Sequence, residues 1–225
     1  MYCTSNLHLS DVTLDLSHIP LDRRSSRLLK RTLDVLLAGF ALVLLLPLLA
    51  LIGLAIWGES TWTRQGGGVF YRQERVSRQG KVFGMYKFRT MNPQAEAQSG
   101  PVWAQRDDGR TTHVGQFLRR ASLDELPQLW NVCKGDMSLV GPRPERPFFV
   151  TQFSEEIPGY AQRHQVKAGL TGWAQIHGLR GDTSLEQRVA HDLYYIQHWS
   201  LGLDLRILWR TFAVVLYDFK SRRAY

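Results

Sequence analysis

Two adjacent carboxylates, Asp124 and Glu125, stand in the run Ser122-Leu123-Asp124-Glu125-Leu126-Pro127-Gln128-Leu129, and a Gly141-Pro142-Arg143-Pro144 corner follows them. An ionised aspartate can attack phosphorus, and Mg²⁺ is commonly held by one or two carboxylates together with substrate phosphates. Asp124 and Glu125 are therefore the candidate catalytic pair and the candidate magnesium ligands. A proline fits a helix only in its opening turn, so Pro127 predicts a helix that begins near Asp124 or Glu125. Both acids would then sit at the positive end of the helix dipole, with side chains about 100° apart, so that one could attack while the other holds the metal. The competing reading is a capping box, with Ser122 as N-cap and Glu125 three residues on.

Cations flank the pair on both sides. Upstream, residues 80 to 91 alternate apolar and polar as a half-buried strand does, with Lys87 and Arg89 on one face. Arg119 and Arg120 immediately precede the acids, and Arg143 lies between two prolines that restrict its backbone. A diphosphate bound beside two carboxylates requires such charges, and the planar fork of arginine suits phosphate oxygens. Lys87, Arg89, Arg119 and Arg143 are the candidate phosphate-binding residues.

Elements that must carry these groups can be placed along the chain. The glycines 66 to 68 form a loop into a short strand, and a short helix over Thr112 to Arg120 leads to the acids. Residues 92 to 112 form a mobile loop, and helices cover Glu145 to Ser154 and Ser184 to Trp199. From Leu201 onward, apolar residues interleave with Arg206, Arg210 and Lys220. That pattern fits either an amphipathic helix lying among lipid headgroups, with Trp209 at the interface, or an ordinary core-facing helix.

Residues 35 to 57 carry no charge, and as a helix they extend roughly 35 Å, enough to cross a bilayer core. Basic residues lie on both sides of the run, Arg23 to Arg31 before it and Arg64 to Lys81 after it, which favours both ends on one side of the membrane. Pro47 near its midpoint can break the helix into two arms. A re-entrant hairpin is the preferred reading and a simple span the alternative. A signal peptide fits poorly, because the run follows more than thirty residues that include Asp11, Asp15 and Asp22.

The 225 residues support one catalytic domain: a polar extension over 1 to 28, the membrane helix over 29 to 58, the catalytic domain over 59 to 200, and an interfacial helix and tail over 201 to 225. The surplus of 28 basic over 20 acidic residues, a net +8, suits anionic lipids and anionic phosphate substrates. No zinc spacing, helix-turn-helix pattern or RNP-like motif accompanies it, which argues against nucleic acid. Cys3 and Cys133 form no disulfide framework.

Several blocks occur in order: Lys-Arg-Thr-Leu-Asp-Val at 30 to 35, Phe-Tyr-Arg-Gln-Glu-Arg at 70 to 75, Tyr-Lys-Phe-Arg-Thr-Met at 86 to 91, the Asp-Glu run, Gly-Pro-Arg-Pro at 141 to 144, Lys-Ala-Gly-Leu-Thr-Gly-Trp-Ala-Gln at 167 to 175, and Trp-Ser-Leu-Gly-Leu-Asp-Leu at 199 to 205. On them the chain resembles the bacterial sugar transferase family, the monotopic phosphoglycosyl transferases that act on polyprenyl phosphate, from about Arg31 to Leu208. The resemblance implies a helix-rich α+β catalytic domain on the cytoplasmic face of the bacterial inner membrane, anchored by a re-entrant helical hairpin. It implies that Asp124 attacks the β-phosphate of a UDP-sugar, expels UMP and carries a covalent phosphosugar that polyprenyl (undecaprenyl) phosphate then takes. Glu125 would coordinate Mg²⁺, and Gln175 would contact nucleotide or sugar. Such a reaction initiates exopolysaccharide or O-antigen assembly. The block from Gln175 to Gly181 resembles the hexose-1-phosphate branch, which makes glucose or galactose the expected sugar, with an N-acetylated sugar as the alternative. Leu46 and His177 depart from the family pattern, where serine and asparagine are common. Larger members carry additional spans, so the chain is either a compact member or part of a longer protein. A conventional glycosyltransferase and a non-catalytic assembly scaffold are the rival readings.

Overall fold

A computed structural model of the chain describes residues 7, 9, 15, 19–64, 66–93, 95, 109–181 and 183–221. Its first long element, α1 (Arg24–Trp62), is a 39-residue helix with Pro47 inside it. The sequence predicts two arms meeting at Pro47; the backbone is one continuous helix on both sides of it. A proline removes one intrahelical bond, and the leucine-rich flanks keep their own. The most apolar 18-residue window of α1 has a mean hydropathy of 3.0, and only 11% of it is buried. Leu36, Phe40, Val43, Leu44, Leu46, Leu51, Leu54 and Trp57 are exposed.

Both ends of α1 are fastened to the rest of the fold. Near its start, Lys30 pairs with Asp204 at 2.7 Å and Arg31 donates to the carbonyl of Cys133 at 2.7 Å. Near its end, the Glu59 carboxylate accepts from the backbone N–H of His113 at 2.8 Å. Ala38 enters the main core, while Ile52 and Ile56 join Phe88 and Leu118 in a smaller cluster. The polar extension expected over 1 to 28 differs in its last part: Ile19 and Leu21 are core residues, a 3₁₀ turn covers Pro20–Asp22, and α1 already starts at Arg24. Most of the remainder of that extension lies outside the described residues.

After α1 come a hairpin of β1 (Phe70–Val76) and β2 (Val82–Phe88), antiparallel with Tyr71 opposite Lys87, then α2 (His113–Arg120) and α3 (Gln128–Lys134). Next are β3 (Ser138–Val140), α4 (Pro147–Glu156), β4 (Gly169–Thr171), α5 (Trp173–Ile176), α6 (Leu185–Gln197) and α7 (Leu201–Ser221). β3 and β4 form a second, parallel pair. The architecture is helix-rich α+β, with the two small sheets serving as braces. Phe83 and Met85 of β2 point into the core, and Lys87 follows on the same face. Of the mobile loop expected over 92 to 112, residues 94 and 96–108 lie outside the described residues; Met91 and Thr111 pair across its base.

Three glycines bring the Arg143 corner against β4. A Cβ at Gly141, Gly169 or Gly172 would collide with backbone atoms, so only glycine permits this crossing. α7 buries Ile207 and Asp204 and exposes Leu205, Trp209 and Phe212.

Candidate active site

Helix α2 delivers the chain to the acids. Its N-cap Thr112 accepts from the N–H of Gly115 at 3.0 Å, and Arg119 and Arg120 end it, where cations suit the negative end of the dipole. Ser122 then takes a left-handed conformation, φ 54°, at a cost of roughly 1–2 kcal/mol, and turns the chain back. Leu123–Glu125 form a 3₁₀ turn, and α3 begins only at Gln128, with Pro127 as its N-cap. This corrects the expected helix start. The N–H groups of Leu126 and Leu129 bond carbonyls three residues back, so the acids ride a tight turn before the α-helix. In such a turn successive side chains diverge by about 120°. The capping box is not formed: Ser122 makes no side-chain cap bond.

Divergence gives the two acids opposite surroundings. Glu125 receives the Arg143 fork on both oxygens, through Nη1 at 3.1 Å and through Nη2, and accepts from Lys87 Nζ at 3.0 Å. Burial alone would raise its pKa; the charges of Arg143 and Lys87, and the bonds they donate, outweigh that and hold Glu125 well below the usual carboxylate range. Asp124 is buried, and among the described residues no hydrogen bond reaches its carboxylate. Burial, with the neighbouring negative charge of Glu125, pushes its carboxyl up to about 6 against the pull of Lys87, Arg119 and Arg143. At neutral pH it is mostly ionised yet more basic than an ordinary aspartate. One acid is a spent acceptor that organises cations; the other keeps a raised, unbonded carboxylate on the cavity wall.

Lys87, Arg89, Arg119, Asp124, Glu125, Arg143 and Gln175 all line one cavity of about 560 Å³. Lys87 and Arg143 meet at Glu125. The Arg119 side chain makes no hydrogen bond or ion pair among the described residues, and its charge acts on Asp124. Arg89 is turned aside, its guanidinium donating to the carbonyl of Gly66, which lies outside the lining. Gln175 donates to the Leu170 carbonyl at 3.3 Å, and its buried Oε1 has no partner. Pro47 lies in α1, outside this lining. Among the described residues no three potential metal ligands cluster. A magnesium ion here would find open oxygens on Asp124, would gain an oxygen of Glu125 only as Arg143 or Lys87 releases it, and would draw its other ligands from phosphates and water.

Sequence reasoning missed a network of buried charges that runs from the cavity wall, where Arg75, Glu145 and Arg188 stand, into the core behind it. Glu145 pairs with Arg75 at 3.1 Å and Arg188 at 3.4 Å, and Arg163 pairs with Asp192 at 2.7 Å. The sequence left Asp192 as either a partner supporting the site or a surface acid of its helix, and it is buried against Arg163.

A family model described as Bacterial sugar transferase matches residues 25–218. A Caulobacter vibrioides protein named UDP-glucose:undecaprenyl-phosphate glucose-1-phosphate transferase is 48% identical over 198 residues, covering 85% of this chain and 71% of its own length. An Aeromonas hydrophila protein named UDP-N-acetylgalactosamine-undecaprenyl-phosphate N-acetylgalactosaminephosphotransferase is 43% identical over 86% of this chain and 45% of its own. A Salmonella typhimurium protein named undecaprenyl-phosphate galactose phosphotransferase is 40% identical over 87% of this chain and 42% of its own. The chain thus spans less than half the length of the second and third of these relatives.

Proposed function

Because this chain belongs to the bacterial sugar transferase family, we propose that it transfers a sugar-1-phosphate from a UDP-sugar to undecaprenyl phosphate and releases UMP. The observation that carries this reading is the split between the two acids: Glu125 fully engaged by cations, Asp124 unbonded on the cavity wall with its carboxyl raised to about 6.

An Asp124 oxygen attacks the β-phosphorus, the bond from that phosphorus to the bridging oxygen breaks, and UMP leaves with the electron pair. Lys87, Arg119 and Arg143 line the cavity where charge builds on the phosphates, and preorganised cations stabilise that charge. The phosphate oxygen of undecaprenyl phosphate then attacks the same phosphorus, the aspartyl bond breaks, and the Asp124 carboxylate is regenerated as the lipid diphosphosugar forms. Asp124 and Glu125 would hold magnesium, which when bound supplies charge neutralisation for the diphosphate. Gln175, through its unpartnered Oε1, offers an acceptor for a sugar or uracil donor group. The relatives' names differ in their sugars, so glucose, galactose and N-acetylgalactosamine are the donors to compare. With undecaprenyl phosphate and Mg²⁺, at least one of these three UDP-sugars should yield UMP. Release of UDP instead would identify an ordinary glycosyltransferase and end this reading.

We further propose that α1 enters and leaves the same leaflet, that the domain lies on the cytoplasmic face among anionic lipids, and that α7 rests at the headgroups with Trp209 outward. The ties of Arg31 to the α3 carbonyls and of Glu59 to α2 support it, since both hold α1 against one domain, whereas a span would put its two ends on opposite sides of the bilayer. Single cysteines at Arg24 and Thr61, in a background lacking Cys3 and Cys133, should be labelled by an impermeant maleimide from the same side of sealed vesicles. Labelling from opposite sides would establish a span.

A further inference from the structure

We propose that Arg163, charge-balanced by Asp192, is a positioning residue for this reaction. It grips the backbone carbonyl of Arg143 and so keeps the Arg143 fork on Glu125. The inference rests on the reading above and adds to it a buried device that sets where a phosphate-site cation points.

The Pro142-to-Glu145 corner has two residues without an N–H, so little of its own backbone can fasten it. Its carbonyls are instead taken one after another: Pro142 by the N–H of Gly169 at 2.8 Å, Arg143 by Arg163 Nη2 at 2.9 Å, Pro144 by Arg75 Nη1 at 3.1 Å, and Glu145 by the N–H of Val76 at 2.9 Å. Two of these donors are guanidiniums brought in from β1 and from the 3₁₀ turn Tyr160–Gln165. Arg163 also bonds Asp192 Oδ2 at 2.7 Å and the Tyr160 hydroxyl at 2.9 Å, and its carbon Cζ lies 5.1 Å from the Tyr160 ring centroid. The side chains of Arg163 and Asp192 are 1% and 2% exposed.

Burial at that level argues against stability as the reason for the pair. Taking two charges out of water costs as much as their attraction returns, and an apolar pair of similar volume often serves a core equally well. What an apolar pair cannot do is donate to the carbonyl of Arg143. Lysine fails differently, because a single ammonium lacks the rigid two-ended fork that reaches Tyr160 on one arm and both Asp192 and the Arg143 carbonyl on the other. The opposite face of the same corner presents the Arg143 guanidinium to Glu125, so a shift of the carbonyl swings the fork. Misplacement by about 1 Å at such a site costs on the order of 10²-fold in rate.

The test uses the full chain in membrane vesicles, with turnover read as nucleotide release and folding read as Tm. Arg163→Lys and Asp192→Asn should lower kcat about 10- to 100-fold. Donor KM should change less, so that the loss falls on kcat rather than on binding. The double variant Arg163→Met with Asp192→Leu should recover most of the Tm lost in Arg163→Met alone while kcat stays low. Wild-type kcat in Arg163→Lys or in a folded double variant, or a loss that falls wholly on KM, would overturn the proposal. Release of UDP in place of UMP by the wild type would instead break the reading of the reaction, while the turnover ratios would still judge the role of Arg163.

Discussion

Asp124→Asn should abolish turnover, by at least about 10³-fold, while leaving the fold intact. An amide is nearly the same size but can neither ionise nor form the acyl phosphate. Because no described residue bonds the Asp124 carboxylate, its replacement breaks no contact. The stability effect has a definite sign. A carboxyl whose pKa rises on folding from its ordinary 3.8 to about 6 costs the folded state stability as pH climbs through that window, and the cost is in full force at pH 7. Asparagine removes it, so the Tm of Asp124→Asn at neutral pH should equal or exceed that of the wild type, a trade of stability for function. In the wild type, kcat/KM should rise with pH along a limb centred near 6, because only the ionised carboxylate attacks. A folded Asp124→Asn protein with substantial turnover would remove Asp124 from the chemistry.

Glu125→Gln should cost about 10²- to 10³-fold in kcat by a different route. The amide has a single acceptor oxygen and no charge, so it cannot hold both the Arg143 fork and Lys87. Two cations are then freed beside Asp124, and the negative charge that raised the Asp124 carboxyl is gone. Both changes favour the ionised form, so the acid limb should move to lower pH even as kcat falls. The magnesium concentration for half-maximal rate should rise as well. A variant with an unmoved limb and an unmoved metal titration would show that Glu125 neither sets the field around Asp124 nor serves the metal.

Some residues that line the cavity, the two acids and Lys87, Arg119 and Arg143 among them, were legible before their geometry was, for reasons visible in particular elements. The α1 run announces itself by a long uncharged stretch, β2 by its period of two, and α6 by apolar spacing capped at Ser184. Asp124, Glu125 and Arg143 stood out because acids before a proline and an arginine between prolines are locally restricted. What proline could not reveal was its place at a junction. Pro127 tolerates both a first helical turn and an N-cap, and the 3₁₀ bonds that decided between them depend on how β2 and α2 pack. The opposite states of the two acids were equally hidden, since Lys87 lies 38 residues from Glu125 and Arg143 lies 18 residues away. The Arg163–Asp192 pair spans 29 residues and Arg75–Glu145 spans 70, with no periodic signal to mark either as buried. Local restriction can be read along a chain; the pairing of buried charges emerges only when the chain closes on itself.

Intact-protein mass spectrometry after incubation with a UDP-sugar and Mg²⁺, with no lipid acceptor present, tests the central claim most directly. The account predicts a mass increase of one sugar phosphate, mapped to Asp124, released on adding undecaprenyl phosphate and missing from Asp124→Asn. A wild-type protein that completes the overall transfer yet gains no such mass at any time would contradict it.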